Sequence, residues 1–154
     1  MRRYSFGVTL IELMIVLAVL AILVSIAYPS YQTHVRKGLR SAGQQFLMDI
    51  AQRQEQYLLD NRAYATVLGT TSGGLNMQAP DEISGKYNAP TFTVDNTATP
   101  PTFVITLAPS SSGPLVGDGT LIINNLQQRW RETDGNLVYG TNDCLWEDSG
   151  CTPH

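Results

Sequence analysis

FGVTLIELMIVLAVLAILVSIAYP, residues 6–29, decides how the rest of the chain is read. From Val8 to Ala27 almost every side chain is Leu, Ile, Val, Ala or Met, and only Thr9, Glu12 and Ser25 are polar. Twenty such residues at ~1.5 Å rise make about 30 Å of helix, the thickness of a bilayer's hydrocarbon core. Arg2 and Arg3 precede the block, which predicts a cytoplasmic N-terminus and an exported remainder. Glu12 is the anomaly. A carboxylate in hydrocarbon costs a few kcal/mol, so its presence predicts a partner or a task.

A secretory signal has a shorter apolar core and then a small-residue cleavage site, and Tyr28-Pro29-Ser30 makes a poor exit. The helical pattern instead continues. Tyr31, Val35, Leu39, Ala42, Phe46, Ile50 and Tyr57 recur mostly at steps of four and three, one stripe of an amphipathic helix. Arg36, Arg40, Gln44 and Gln54 are expected on the opposite, polar face. Pro29 lacks an N–H and predicts a bend rather than a break. Gly38 and Gly43 each weaken the helix by up to about 1 kcal/mol relative to Ala. The expectation is one rod from Val8 to about Asp60, apolar all round at first and then on one side only.

The run from Phe6 to Val16, with its short basic leader and the later Pro29, resembles the class III signal of type IV pilins. The resemblance implies cleavage by a membrane prepilin peptidase after Gly7 and N-methylation of the new first residue, Val8. It implies that Glu12, five places into the mature chain, pairs with the N-terminal amine of a neighbouring subunit. Glu12 also fits a local reading, because Thr9-x-x-Glu12 is a helix capping box at the positive end of the helix dipole. The two roles are compatible. Val8 stands where phenylalanine is usual, and Ala21 and Asp49 stand where major pilins often have glycine and proline. These departures point to a minor subunit.

Beyond Asp60 the pattern changes. Asp60-Asn61 and Gly69 to Gly74 break the helix, and residues 61 to about 84 read as a loop-rich connection. Alternation at Tyr87 and around Phe92 and Val94, from Phe103 to Leu107, and at Leu121 to Ile123, with Leu126 to Arg131 as a last stretch that would extend the sheet, predicts a meander of about four antiparallel strands. The fold class is therefore α+β: a long N-terminal helix packed on an antiparallel sheet, the type IV pilin fold. The expected division is a leader at 1–7, the helix at 8–60 with 8–27 as membrane span and filament core, and a globular domain at 61–154. Gln52 to Tyr57 with Asn61 to Tyr64, and Leu121 to Arg129, resemble PilE-type minor pilins.

Cys144 and Cys151 are the chain's two cysteines. They are either free thiols or a bridge, and an exported domain favours the bridge, worth about 2.5 kcal/mol in the chain-entropy model. The resemblance implies that this disulfide loop, 144–151, staples the C-terminal segment to the sheet.

Little catalytic chemistry is legible. His34 and His154 are the two histidines, and neither stands beside a nucleophile, a metal-ligand cluster or a phosphate-binding loop. Asp143, Glu147 and Asp148 lack the spacing of a calcium loop. No enzyme activity, cofactor or metal is expected. Trp130, Tyr139 and Trp146 are expected to pack on the sheet or bridge in preference to forming an adhesive patch.

The net charge of −3, with an acidic C-terminal region, argues against nucleic acid as a default partner. Beyond residue 62 the cations are Lys86, Arg129 and Arg131. The expected function is a structural subunit of a type IV pilus, a minor pilin serving assembly, twitching motility and adhesion. Its partners would be other pilin subunits, the prepilin peptidase, the inner-membrane assembly platform and membrane lipid. It would sit in the bacterial inner membrane with a periplasmic C-terminal domain, then in the extracellular pilus. A pseudopilin of type II secretion, a DNA-uptake competence pilin and an uncleaved membrane-anchored binding domain are the alternatives.

Overall fold

A computed structural model of the chain describes residues 9–132 and 144–146. One helix, α1, spans Leu10–Asn61, and five strands follow: β1 (Thr91–Asp95), β2 (Thr102–Leu107), β3 (Thr120–Asn124), β4 (Arg129–Glu132) and β5 (Cys144–Leu145).

The helix starts where the sequence supplies a cap. The Thr9 hydroxyl accepts a hydrogen bond from the Glu12 N–H at 3.3 Å, satisfying one of the free donors of the first turn. It passes Pro29 without interruption, and the Thr33 hydroxyl donates to the Pro29 carbonyl at 3.0 Å. It ends at Asn61, after which Arg62 takes a left-handed conformation (φ 57°) and donates its N–H to the Leu58 carbonyl.

The chain divides into a unit ending at Val35 and a second from Arg36 onward. In the first, the large apolar side chains from Leu10 to Ile26 are all at least half exposed, and Tyr31 is 68% exposed. A helix this long and apolar meets the requirement for crossing a membrane.

In the second unit the helix is amphipathic. Gly43, Phe46, Leu47, Ile50, Ala51 and Gln54 are buried, at the three-and-four spacing of one helical face. Of the residues expected on the polar face, one is inside and Arg40 and Gln44 are partly covered. Gln54 is fully buried, because its amide satisfies both backbone groups of Ala65: the side-chain nitrogen donates to the Ala65 carbonyl and the oxygen accepts from the Ala65 N–H, each at 2.8 Å. Arg40 is half-buried, held by both carboxylate oxygens of Asp118.

The strands form one antiparallel sheet in the order β1-β2-β3-β4-β5. The expectation of about four strands falls short by one. β5 is a two-residue strand, too short to give a period, and it pairs Trp130 with Leu145 and Arg131 with Cys144. Leu126 lies in the β3–β4 turn, and β4 begins at Arg129. In β2 the residues Phe103, Ile105 and Leu107 are buried while Thr102, Val104 and Thr106 are half-buried, the alternation of a one-sided sheet. Ile105 opposes Ile123 and Leu107 opposes Leu121, and these join Phe46, Leu47 and Ile50 in the core. Each such fully buried aliphatic side chain contributes about 1.5–3 kcal/mol.

Gly43 packs directly against Tyr87. A Cβ there would lie 3.0 Å from the tyrosine ring and 3.1 Å from Leu121 Cδ1, so the glycine's cost in helix propensity secures close packing. The 62–90 connection is tied down by amides on both sides. Asn96, just after β1, accepts from the Tyr64 N–H at 2.7 Å and donates to the Tyr64 carbonyl at 3.0 Å, next to the clasp of Gln54 on Ala65. The Tyr64 ring meets Phe103 edge to face at 4.7 Å.

Candidate functional site

Glu12 lies in the first turn of α1, where a carboxylate favours the helix dipole. The capping box is half present: Thr9 caps the Glu12 N–H, while the Glu12 carboxylate makes no hydrogen bond or ion pair among the described residues. Gly7 and Val8, expected at the cleavage and methylation site, lie outside the described residues, as do Cys151, Asp143, Glu147, Asp148, Tyr139 and His154. Cys144 is fully buried in β5. Among the described residues no group of three His, Cys, Asp or Glu is placed to hold a metal.

Two features of the second unit were not legible in the sequence. The first is a charged junction. Arg40 of α1 binds Asp118 through Nε at 2.8 Å and through a terminal nitrogen, a bidentate pair. Arg131 of β4 donates to the Asp118 backbone carbonyl at 3.0 Å. Asp118 thus ties the loop before β3 to both helix and sheet. The hydrogen bond from Arg40 to Asp118 raises the arginine's pKa above its usual value. Tyr87 lies in the field of the same groups. Burial, assisted by Asp118, pushes its phenol far above the ordinary tyrosine range, and among the described residues its hydroxyl has no hydrogen-bond partner.

The second is a groove of about 470 Å³ lined by Ser41, Gln44, Gln45 and Met48 of α1 together with Gln127, Gln128, Arg129, Leu145 and Trp146. The β3–β4 turn that forms one wall is locked by Asn124, whose side-chain oxygen accepts from the N–H of Leu126 and of Gln128 at 3.0 Å each. The Asn124 amide also donates to Gln128 Oε1 at 2.7 Å. Gln127 adopts a left-handed conformation (φ 60°), which costs about 1 kcal/mol or more for a residue other than glycine. Trp146 is anchored by its ring N–H, which donates to the Trp130 carbonyl at 2.9 Å.

The aromatic residues separate in kind: Trp130 is buried and Trp146 half-buried. Of the cations expected beyond residue 62, Arg131 is committed to Asp118, whereas Arg129 is exposed in the groove.

Two families match the chain, and together they cover the long helix and the start of the sheet. Residues 2–28 match the prokaryotic N-terminal methylation motif. Residues 29–117, more than half of the chain, match the family described as type IV minor pilin ComP, DNA uptake sequence receptor. The chain belongs to the ComP family of type IV minor pilins. This minor pilin accordingly has the apolar N-terminal helix and the α+β head that the sequence led one to expect. The family match ends before β3, so the sheet wall of the groove, from Gln127 to Trp146, lies beyond it. No curated protein and no solved structure matches the chain.

Proposed function

We propose that this minor pilin works as a DNA receptor within a type IV pilus. The reading is carried by the match of residues 29–117 to a family described as a DNA uptake sequence receptor. It favours the competence alternative over general service in twitching or adhesion. The acidic net charge argues against bulk electrostatic adsorption of DNA, so the receptor would rely on local contacts and not on overall charge.

The route to the pilus follows from the N-terminal motif. A prepilin peptidase cuts after Gly7 and leaves Val8 as the methylated first residue. Residues 8–27 hold the subunit in the inner membrane with its head on the periplasmic side, and the assembly platform then moves it into a fibre of other pilin subunits. In the fibre Glu12 pairs with the Val8 amine of a neighbour. An ion pair of this kind, removed from water, fixes register more than it adds stability. Pro29 supplies a bend in the helix. Cys144 and Cys151 close the C-terminal loop, a reading supported by the burial of Cys144 against β4. The work of such a subunit is binding and assembly, not catalysis.

Deleting the gene and measuring piliation, twitching, secretion and DNA uptake side by side tests the reading. Loss of DNA uptake with pili retained is expected. Loss of secretion alone would make the chain a pseudopilin and overturn the proposal.

A further inference from the structure

Between Glu12 and Asp49 the chain has no acidic residue, yet Arg36, Lys37 and Arg40 all fall within that interval. Arg40 is committed to Asp118. Arg36 and Lys37 are exposed, and neither makes a hydrogen bond or an ion pair among the described residues. They lie in the middle of α1, so the negative end of the helix dipole does not offset them. A membrane span normally keeps such residues on its cytoplasmic flank. Here they stand on the flank opposite Arg2 and Arg3, which calls for a counter-charge outside the chain.

Their place along the helix identifies that counter-charge. The helix runs unbroken past Pro29 and through Lys37, so Arg36 comes about 14 Å beyond Ala27 at ~1.5 Å per residue. The interfacial layer of a bilayer adds about 5–7 Å on each side of the hydrocarbon. Helix side chains lean toward the N-terminus, here toward the span, and long cationic side chains carry their heads to the interface. Tyr28 and Tyr31 occupy the helix just past Ala27, and both are at least 60% exposed. Tyrosine is a residue of the aromatic belts found at membrane interfaces.

We propose that Arg36 and Lys37 bind the phosphates of anionic phospholipids in the leaflet at the C-terminal end of the span, with Tyr28 and Tyr31 setting the depth of the helix in the headgroup layer. The inference rests on residues 8–27 being a membrane span. Arg36 offers a phosphate two parallel hydrogen bonds, and Lys37 acts as a point charge. Successive helix positions lie about 100° apart, so the two cations draw headgroups from different sides of the rod. Continuity with the apolar span selects a lipid over a soluble carrier of phosphate. Such contacts exist only in the bilayer; they retain the subunit there before assembly and are given up on extraction.

The test titrates the full-length protein in nonionic detergent with phosphatidylglycerol or with zwitterionic phosphatidylcholine, and counts bound lipid by native mass spectrometry. The parent chain carries Arg2→Gln and Arg3→Gln, so that the leader's cations do not contribute. Phosphatidylglycerol is expected to bind more tightly than phosphatidylcholine, with a preference that shrinks as salt is raised. Arg36→Gln and Lys37→Gln should each weaken phosphatidylglycerol binding about fivefold, and the double variant roughly twentyfold, with phosphatidylcholine unaffected. Glutamine matches arginine and lysine in helix propensity, so the helix persists in these variants. Lys86→Gln, the same change of charge in the head, should leave both lipids unaffected. Equal binding of the two lipids, an undiminished preference in the double variant, or displacement of the lipid by equimolar inorganic phosphate would overturn the site while leaving the span intact. Failure of the parent chain to float with phosphatidylcholine vesicles would overturn the span as well.

Discussion

Gln54 and Ala65 exchange two hydrogen bonds of 2.8 Å in a fully buried setting, side-chain amide to backbone. Asn96 does the same for the adjacent Tyr64, so two consecutive residues of the connection are held from the helix and from the end of β1. Gln54→Leu leaves the Ala65 N–H and carbonyl buried and unpaired. At roughly 1–3 kcal/mol per group, the expected loss is about 2–4 kcal/mol. Chemical denaturation of the full-length protein in detergent, followed by tryptophan fluorescence, measures it; a loss below about 0.5 kcal/mol would show that the clasp is not structural.

Gly43→Ala sets two effects against each other. Helix propensity favours alanine by about 1 kcal/mol, and overpacking against Tyr87 and Leu121 costs about 1–3 kcal/mol. Overpacking is expected to win, with a net loss of about 1 kcal/mol by the same denaturation measurement. A stabilised variant would mean that the Tyr87 ring yields freely.

The junction around Asp118 predicts opposite outcomes for two neutral substitutions. Asp118→Asn removes the carboxylate that Arg40 grips and should cost about 2–3 kcal/mol at neutral pH. Tyr87→Phe deletes a hydroxyl with no partner among the described residues and should cost less than about 0.5 kcal/mol or stabilise. The phenol also carries a pH dependence. Its folded pKa is raised above the unfolded value of about 10, so its contribution is full below pH ~10 and is lost as pH climbs toward the folded value. Wild-type stability should therefore fall through that alkaline window, and Tyr87→Phe should flatten part of the fall. Identical alkaline profiles would contradict this.

These interior features explain where the sequence was and was not legible. The apolar block from Val8 to Ala27 reads as a helix from its length and composition, the Phe46–Ile50 stripe recurs at a helical period, and β2 alternates clearly from Phe103 to Leu107. Gln54 and Arg40 read as polar-face residues because periodicity records side-chain polarity, not the distant backbone or carboxylate that makes burial favourable. β5 is too short to carry a pattern. The groove joins helix residues 41–48 to residues 127–129 and 145–146, a juxtaposition that exists only once the sheet is folded. The run Asn124 to Arg129, rich in amides, was its one sequence signal.

Glu12 and Thr9 separate the two roles open to the carboxylate. Thr9→Ala removes the observed cap and costs about 1 kcal/mol of helix stability. Glu12→Ala leaves that cap in place but removes the charge for a neighbour's amine. A processed, membrane-inserted Glu12→Ala subunit is expected to enter pili far less than Thr9→Ala, measured by immunoblotting sheared pili. Equal incorporation of the two variants would reduce Glu12 to a local role.

The central claim is that this chain is cut and assembled as a pilin, and the intact mass of the protein recovered from pili tests it most directly. The account predicts a chain that begins at Val8, heavier by one N-methyl group, with Met1 to Gly7 absent. A chain that retains Met1 would contradict it.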